Sequence, residues 1–176
     1  MSKPGPVRLL AGALFASAAL YTGLQQSEGF VAKAMKPVPE DRWTVGYGST
    51  YHADGSPVKR GETITEPEAR KLLEITVRNE YEAKIKACAG DIPMRQAEYD
   101  AVIDLAYNVG AEKVCRFSIF RKFRAGDYAA GCAVIPTVDM LNGKHCRAGN
   151  NLRAVPGCRG LMTRRQRQYA ICKGES

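Results

Sequence analysis

An uncharged apolar run near the N-terminus is the feature that most constrains how this chain can fold. Lys3 and Arg8 precede the run, which extends from Leu9 to Leu24, and the next charged residue is Glu28. Basic residues before such a run are typical of an export signal. Seven of its sixteen residues are Ala or Gly, and its length is barely enough to cross a bilayer. The pattern of residues 1–27 therefore predicts a membrane-targeting segment that is only weakly anchored in the bilayer.

Four interpretations of this segment remain open. It can be a signal peptide cleaved at Ala16-Ser17-Ala18, or a permanent anchor of low hydrophobicity. It can also enter the membrane, leave it later and pack as a helix on the folded protein. The fourth interpretation, a buried helix of a soluble protein, is disfavoured by the basic residues ahead of the run. The sequence does not choose among the first three.

Residues 28–50 follow the run directly and carry a candidate for acid catalysis. Glu28 stands where a helix is predicted to end, and a Pro-rich turn with Glu40 and Asp41 follows it. Residues 43–48, Trp-Thr-Val-Gly-Tyr-Gly, then predict the first strand of a small hairpin. An acid that faces a carboxylate and the Thr44 hydroxyl can hydrolyse a glycosidic bond. On spacing alone, a surface Glu28, a solvated turn and a Thr44 that merely favours the strand are the simpler interpretation.

The charge of the chain is strongly positive and concentrated near the C-terminus. The formal net charge is +8, and between Leu141 and Ser176 eight Lys or Arg residues face a single acid, Glu175. Such a basic lobe suits an anionic polymer or a membrane surface. The sequence shows no zinc-finger spacing, no RNP-type motif and no basic region followed by heptads, so we expect no nucleic-acid partner.

Six cysteines are spread over the chain without any C-x-x-C pair, and only two histidines accompany them. This pattern predicts no metal site. An even number of scattered cysteines in a chain with an export signal favours disulfide bonds formed in an oxidising compartment.

The remaining sequence predicts a mostly helical domain of ordinary size with one small sheet. A second strand is expected around Val58, and residues 142–160 are expected to form a loop. The predicted helices run from the capping box Thr65-Glu-Pro-Glu68 to about Ala87, from Met94 to Gly110, over 117–124, over 127–135, and from a Thr163 cap to about Lys173.

Four motifs together resemble those of phage-type lysozymes, glycoside hydrolase family 24. They are Glu28-Gly29, residues 43–50 (Trp-Thr-Val-Gly-Tyr-Gly-Ser-Thr), residues 106–110 (Ala-Tyr-Asn-Val-Gly) and residues 160–165 (Gly-Leu-Met-Thr-Arg-Arg), and they occur in the family's order. The weak N-terminal segment further resembles that of signal-arrest-release endolysins from phages of Gram-negative bacteria. The resemblance implies an α+β lysozyme-like catalytic domain over residues 28–176, preceded by the membrane segment of residues 1–27.

This resemblance implies a muramidase that cleaves the β-1,4 bond between N-acetylmuramic acid and N-acetylglucosamine in peptidoglycan without a cofactor. Glu28 matches the family's catalytic acid and Thr44 its catalytic threonine. The family's aspartate has no clean match, because Pro37 stands where it is expected. Asp41 is the nearest candidate for this role and Glu40 the alternative. Whether the reaction inverts or retains configuration depends on a carboxyl separation that sequence does not give.

Further residues are expected to support this activity. Tyr47, Tyr51, Tyr107 and Asn108 are candidates for substrate contact. Cys88 and Cys115 flank a predicted helix, as do cysteines in disulfide-bearing family members, and we expect Cys88–Cys115, Cys132–Cys172 and Cys146–Cys158, one of fifteen possible connectivities. The membrane segment contains no cysteine, so control by steric separation is expected rather than disulfide exchange.

The resemblance also predicts location and partners. The protein is expected in the periplasm, first tethered to the inner membrane by residues 9–27 and then released, acting as a monomer on peptidoglycan strands. Two alternatives are a lytic transglycosylase, which also uses one Glu but forms an anhydro-sugar, and a non-catalytic cationic protein that binds cell wall or membrane.

Overall fold

The computed structural model describes residues 7–175 as two compact units of an α+β, mostly helical protein. One, here called the sheet unit, comprises Phe15–Ala83. The other, the helical unit, comprises residues 7–14 and 84–175. Lys3, part of the predicted export signal, lies outside the described residues.

The sheet unit begins with helix α1 (Ala18–Glu28). Its N-cap is Ser17, whose Oγ accepts the Leu20 N–H at 3.2 Å. The helix ends at Glu28, as predicted, because Gly29 adopts φ 71°, a value that favours glycine. The buried residues Leu20 and Leu24 fix one face of α1 in the protein.

A two-stranded antiparallel hairpin follows, formed by β2 (Val31–Met35) and β3 (Thr44–Gly46). Val31 pairs with Gly46 and Met35 with Thr44, with an irregularity between these pairs. The predicted strand at residues 43–48 is therefore present, but it is the second strand of the hairpin, and the first was missed. The strand expected around Val58 is wrong, because residues 51 and 57 form only an isolated bridge.

A small hydrophobic cluster supports the hairpin. It contains the buried residues Ala34, Val45 and Val58, with Trp43 and Ile64 packed against them. Helix α2 (Glu66–Thr76) then begins at the predicted capping box, in which Thr65 and Glu68 satisfy each other's backbone N–H groups. A π-helical turn, Val77–Glu82, continues it and closes the sheet unit with Ala83.

The helical unit is built around α4 (Gln96–Val109), in which every residue from Glu98 to Ala106 is buried. Before α4 it contains β1 (Leu9–Leu10), a 3-10 turn (Ala11–Ala13), α3 (Ala83–Ala89, whose first residue belongs to the sheet unit) and β4 (Pro93–Met94). After α4 come α5 (Ala111–Arg116), α6 (Ile119–Arg124), α7 (Tyr128–Cys132) and a 3-10 turn (Ile135–Thr137). The last elements are β5 (Met140–Leu141), β6 (Lys144–His145), α8 (Asn151–Ala154) and α9 (Cys158–Lys173). Two short antiparallel pairs join β1 to β4 and β5 to β6.

The last helix starts earlier than predicted. It begins at Cys158, and Thr163 lies inside it with Oγ1 donating to the Arg159 carbonyl at 3.0 Å, so the Thr163 cap is wrong. Gly157, at φ 86°, supplies the break that separates α8 from α9. The predicted loop over 142–160 accordingly contains β6 and α8 as well as turns.

The apolar run does not form one continuous helix. Its first part is β1 and the 3-10 turn, and only the residues from Ala18 onward are α-helical. Over residues 7–175, no helix has both the length and the apolar character needed to span a bilayer.

Candidate active site

Glu28 occupies the last position of α1, immediately before the hairpin. The side chain is half-buried, and Gly29 turns the chain so that β2 begins only three residues later, at Val31. Val31 pairs with Gly46 of β3, which carries Thr44 at its other end. The local fold thus connects the candidate acid directly to the hairpin that holds the candidate threonine.

Thr44 is the first residue of β3 and is half-buried. Its Oγ1 donates to the Arg42 carbonyl at 3.2 Å, which orients the hydroxyl toward the turn between the two strands. The backbone around it is constrained: Gly46, two residues on, has φ 65°, and a Cβ there would stand 3.0 Å from Cβ of Ala69. Glycine at this position lets β3 approach α2 closely.

The two candidates for the second carboxylate lie on the exposed turn between β2 and β3. The Asp41 N–H donates to the Val38 carbonyl at 3.0 Å, closing a turn that also contains Glu40. Both carboxylates belong to exposed residues. Asp41 therefore lies in the turn between β2 and β3, three residues before Thr44, the first residue of β3.

The two tyrosines near the hairpin differ in accessibility. Tyr47 is 3% exposed, its ring lies 5.8 Å from that of Phe30, and its hydroxyl donates to Oε1 of Glu66 at 3.1 Å. This corrects the expectation that Tyr47 offers an open face to a sugar, because packing covers its ring. Tyr51 is half-exposed; its hydroxyl accepts a hydrogen bond from Arg42, whose guanidinium lies 5.2 Å from the ring centroid.

Sequence reasoning missed Tyr81 as a neighbour of the candidate acid. This residue lies on the π-helical turn, and its pKa is raised, mainly by burial and further by the negative charges of Glu80 and Glu28. Beyond the effect of burial, the negative charge of Glu28 therefore contributes to the raised pKa of the Tyr81 phenol. No motif marks Tyr81, because helical periodicity alone presents it as one more residue on a buried face.

Tyr107 and Asn108 lie at the end of α4 in the helical unit. Asn108 Oδ1 accepts a hydrogen bond from Nη2 of Arg165 at 2.6 Å. Arg165 is 1% exposed, and its other hydrogen bonds go to the Val138 carbonyl and to Oε1 of Gln168. Burial, and to a smaller extent the positive charge of Arg164, lowers the pKa of Arg165 to about 10. The negative charge of Asp104 acts in the opposite direction but is outweighed. The Asn108 side chain is therefore held in place by a buried cation.

The structure joins the cysteines in the three expected pairs: Cys88 with Cys115, Cys132 with Cys172, and Cys146 with Cys158. The last of these is fully buried in a cluster with Met162 and ties β6 to the start of α9. Among residues 7–175, no group of three or more His, Cys, Asp or Glu side chains is arranged to hold a metal ion.

Comparison with known proteins places this mostly helical fold, with a glutamate at a helix end before a small hairpin, among the lysozymes. The profile of the phage lysozyme family matches residues 25–168, and the chain belongs to that family. It is 30% identical to the SAR-endolysin of Bacteriophage PS119 over 166 residues, covering 92% of this chain and 87% of that protein.

Two further comparisons support membership of the same family. The chain is 30% identical to the SAR-endolysin of Enterobacteria phage P21 over 168 residues, covering 92% of this chain and 88% of that protein. Its structure is similar to that of the endolysin from Escherichia coli O157:H7 phage FAHEc1, with a TM-score of 0.72, 25% identity, and coverage of 92% of this chain and 94% of the other.

Proposed function

We propose that this chain is an endolysin with muramidase activity, which hydrolyses the β-1,4 bond between N-acetylmuramic acid and N-acetylglucosamine in peptidoglycan and so lyses the host cell. The observation that carries this proposal is the placement of Glu28. It ends α1, and the chain then enters the hairpin on which Thr44 stands, in a protein of the phage lysozyme family.

In this mechanism Glu28 donates a proton to the glycosidic oxygen as the bond to the sugar carbon breaks. Positive charge develops on that sugar, and a water molecule completes the hydrolysis. Asp41 and Thr44 position the water or stabilise the developing charge. The Thr44 hydroxyl is already oriented by the Arg42 carbonyl, and Asp41 lies on the same short turn.

We further propose that residues 1–27 export the protein to the periplasm and tether it briefly to the inner membrane, and that after release they pack with the catalytic domain of residues 28–176, which is active as a monomer. The two relatives named SAR-endolysin support this route. Control is steric in this proposal. While residues 9–27 remain in the bilayer, α1 cannot pack in the sheet unit and the site around Glu28 cannot assemble.

The decisive experiment measures release of soluble fragments from purified peptidoglycan by the Glu28→Gln variant. Glu74→Gln is the matched control, because Glu74 is an exposed residue of α2 in the same unit. We expect loss of activity of at least about 100-fold in the first variant and parental activity in the second. A Glu28→Gln protein that released fragments at the parental rate would reject Glu28 as the catalytic acid, whereas a parent protein that lyses cells but releases no fragments would identify a non-catalytic cationic protein.

Two analyses separate the remaining alternatives. Mass spectrometry of the digested wall should show products that have gained water, whereas anhydro-sugars would identify a lytic transglycosylase. N-terminal sequencing of active periplasmic protein should find residues 9–27 intact. A new N-terminus after Ala18 would replace release by signal-peptide cleavage.

A further inference from the structure

Glu82 is a buried carboxylate that the proposed mechanism does not use. It is 2% exposed and ends the π-helical turn of the sheet unit. Its Oε1 accepts the backbone N–H of Ala16 at 2.6 Å. A buried carboxylate is costly unless it is hydrogen-bonded, so this contact stabilises Glu82 in the interior and fixes the backbone at Ala16.

Ala16 lies two residues before α1, the helix that carries the candidate acid. It precedes Ser17, the N-cap of α1, whose hydroxyl accepts the Leu20 N–H. Two side chains, those of Glu82 and Ser17, therefore hold the beginning of α1. A negative charge at this end also complements the helix dipole.

Two neighbouring side chains of the π-helical turn interact with opposite ends of the α1 region, one through a hydrogen bond and one electrostatically. Glu82 binds the backbone just ahead of α1, and Tyr81 lies close enough to Glu28, at the other end of the helix, for that charge to help raise the pKa of the phenol after the larger effect of burial. A π turn inserts an extra residue and so redirects the side chains that follow, a device common at functional sites.

We propose that Glu82 is a positioning residue, which fixes the start of α1 and thereby sets the location of the Glu28 carboxyl at its end. This inference rests on the proposed catalytic role of Glu28. Ala16 belongs to the apolar run, so the contact with Glu82 can form only when the run is outside the bilayer. The same hydrogen bond therefore couples release of the N-terminal segment to assembly of the site.

The test compares Glu82→Ala and Glu82→Gln in the purified full-length protein, with Glu80→Ala as the matched control. Glu80 is an exposed residue of the same π turn. Because small misplacements of a catalytic group are costly, we expect Glu82→Ala to lower kcat by about 10- to 100-fold with KM changed less than about twofold. Glu82→Gln keeps an oxygen acceptor for the Ala16 N–H and should recover most of kcat. Glu80→Ala should behave like the parent.

A second measurement separates positioning from general loss of structure. Amide hydrogen exchange should accelerate in α1 in Glu82→Ala, while the amides of α4 stay protected. Ala16→Pro, which removes the donor N–H, should lower kcat, and the double variant should lose much less than the product of the two single losses.

The outcomes are distinct. Parental kcat in Glu82→Ala, unchanged exchange in α1, or a loss of activity explained by the unfolded fraction alone would each overturn the positioning role. Fully multiplicative losses in the double variant would show that Glu82 does not act through Ala16. A fully active Glu28→Gln protein would instead refute the proposed catalytic function, and hydrogen exchange in α1 would still report whether Glu82 holds the helix.

Discussion

Arg8 donates from Nη2 to Oε1 of Glu98 at 2.7 Å, and the Glu98 side chain is completely buried. The same carboxylate accepts hydrogen bonds from Nε and from the backbone N–H of Arg95. The Arg8 guanidinium also lies 3.6 Å from the ring centroid of Tyr128. Arg8, one of the two basic residues that precede the apolar run and are expected to act in membrane targeting, thus stabilises the helical unit in the folded protein.

Removing this cation should destabilise the folded protein. Arg8→Ala leaves the buried Glu98 with Arg95 alone, and we expect the free energy of unfolding to fall by about 1–3 kcal/mol. Urea unfolding of the purified protein measures it. The control is Arg121→Ala, because Arg121 is exposed on α6. Equal stabilities of the two variants would show that the Arg8 contact contributes nothing.

The identity of the second carboxylate can be decided by two conservative substitutions. If Asp41 holds the water or stabilises the charged sugar, Asp41→Asn should reduce kcat by about 10²-fold or more, while Glu40→Gln on the same exposed turn remains near the parent. Wall-solubilisation assays give the comparison. The reverse pattern would assign the role to Glu40, and two fully active variants would mean that neither carboxylate takes part.

Stability in acid should depend on Asp139. Burial alone would raise the pKa of this carboxyl, but hydrogen bonds with His145 and with the side chain and backbone of Arg147 outweigh it and lower the pKa to about 2. Because the folded pKa lies below that of the unfolded chain, near 3.9, the stabilisation is fully present above pH 4–5 and is lost as pH falls toward 2. It amounts to roughly 2 kcal/mol.

Unfolding of the parent and Asp139→Asn from pH 2 to pH 6 tests this dependence. The stability difference should be constant above about pH 5 and shrink below pH 4. Asp91→Asn, at an exposed residue, is the control and should show no such trend. A difference between parent and Asp139→Asn that stays constant down to pH 2 would contradict the assignment.

Two glycines in helices should respond oppositely to alanine. A Cβ on Gly131 of α7 would overlap the ring of Phe123, whereas one on Gly160 of α9 would meet nothing within 4 Å. Gly131→Ala should therefore cost about 1–3 kcal/mol, and Gly160→Ala should stabilise by up to about 1 kcal/mol. Thermal unfolding of both variants measures these effects. A tolerated Gly131→Ala would mean that α7 shifts away from Phe123.

Sequence was informative where local chemistry determines structure. Gly29 ends α1 at Glu28, the Thr65 capping box starts α2, and Gly110 ends α4, each as predicted. These signals depend on a few neighbouring residues. The local pattern of residues 28–50 likewise predicted Glu28 at a helix end and Thr44 on a strand, as the structure has them.

Features that depend on distant contacts were not accessible in this way. Residues 31–35, Val-Ala-Lys-Ala-Met, show no alternation of apolar and polar residues, and their strand is defined by pairing with Thr44 and Gly46. The start of α9 was missed because Thr163 offers a local cap signal, while the actual start at Cys158 follows a left-handed glycine and a disulfide to Cys146. The burial of Arg165 and Tyr47 likewise arises from tertiary packing.

The pairing of β1 with β4 has a practical consequence for producing this protein in quantity. Trimming the apolar N-terminus is the obvious way to improve solubility. It would also delete Leu9 and Leu10, which pair with Met94 and Pro93, and the Arg8 cation that Glu98 binds. A protein shortened in this way would lack contacts that stabilise the helical unit. Solubility is better improved by replacing the exposed residues Leu9, Leu10 and Phe15 with polar ones while the N-terminal segment is kept.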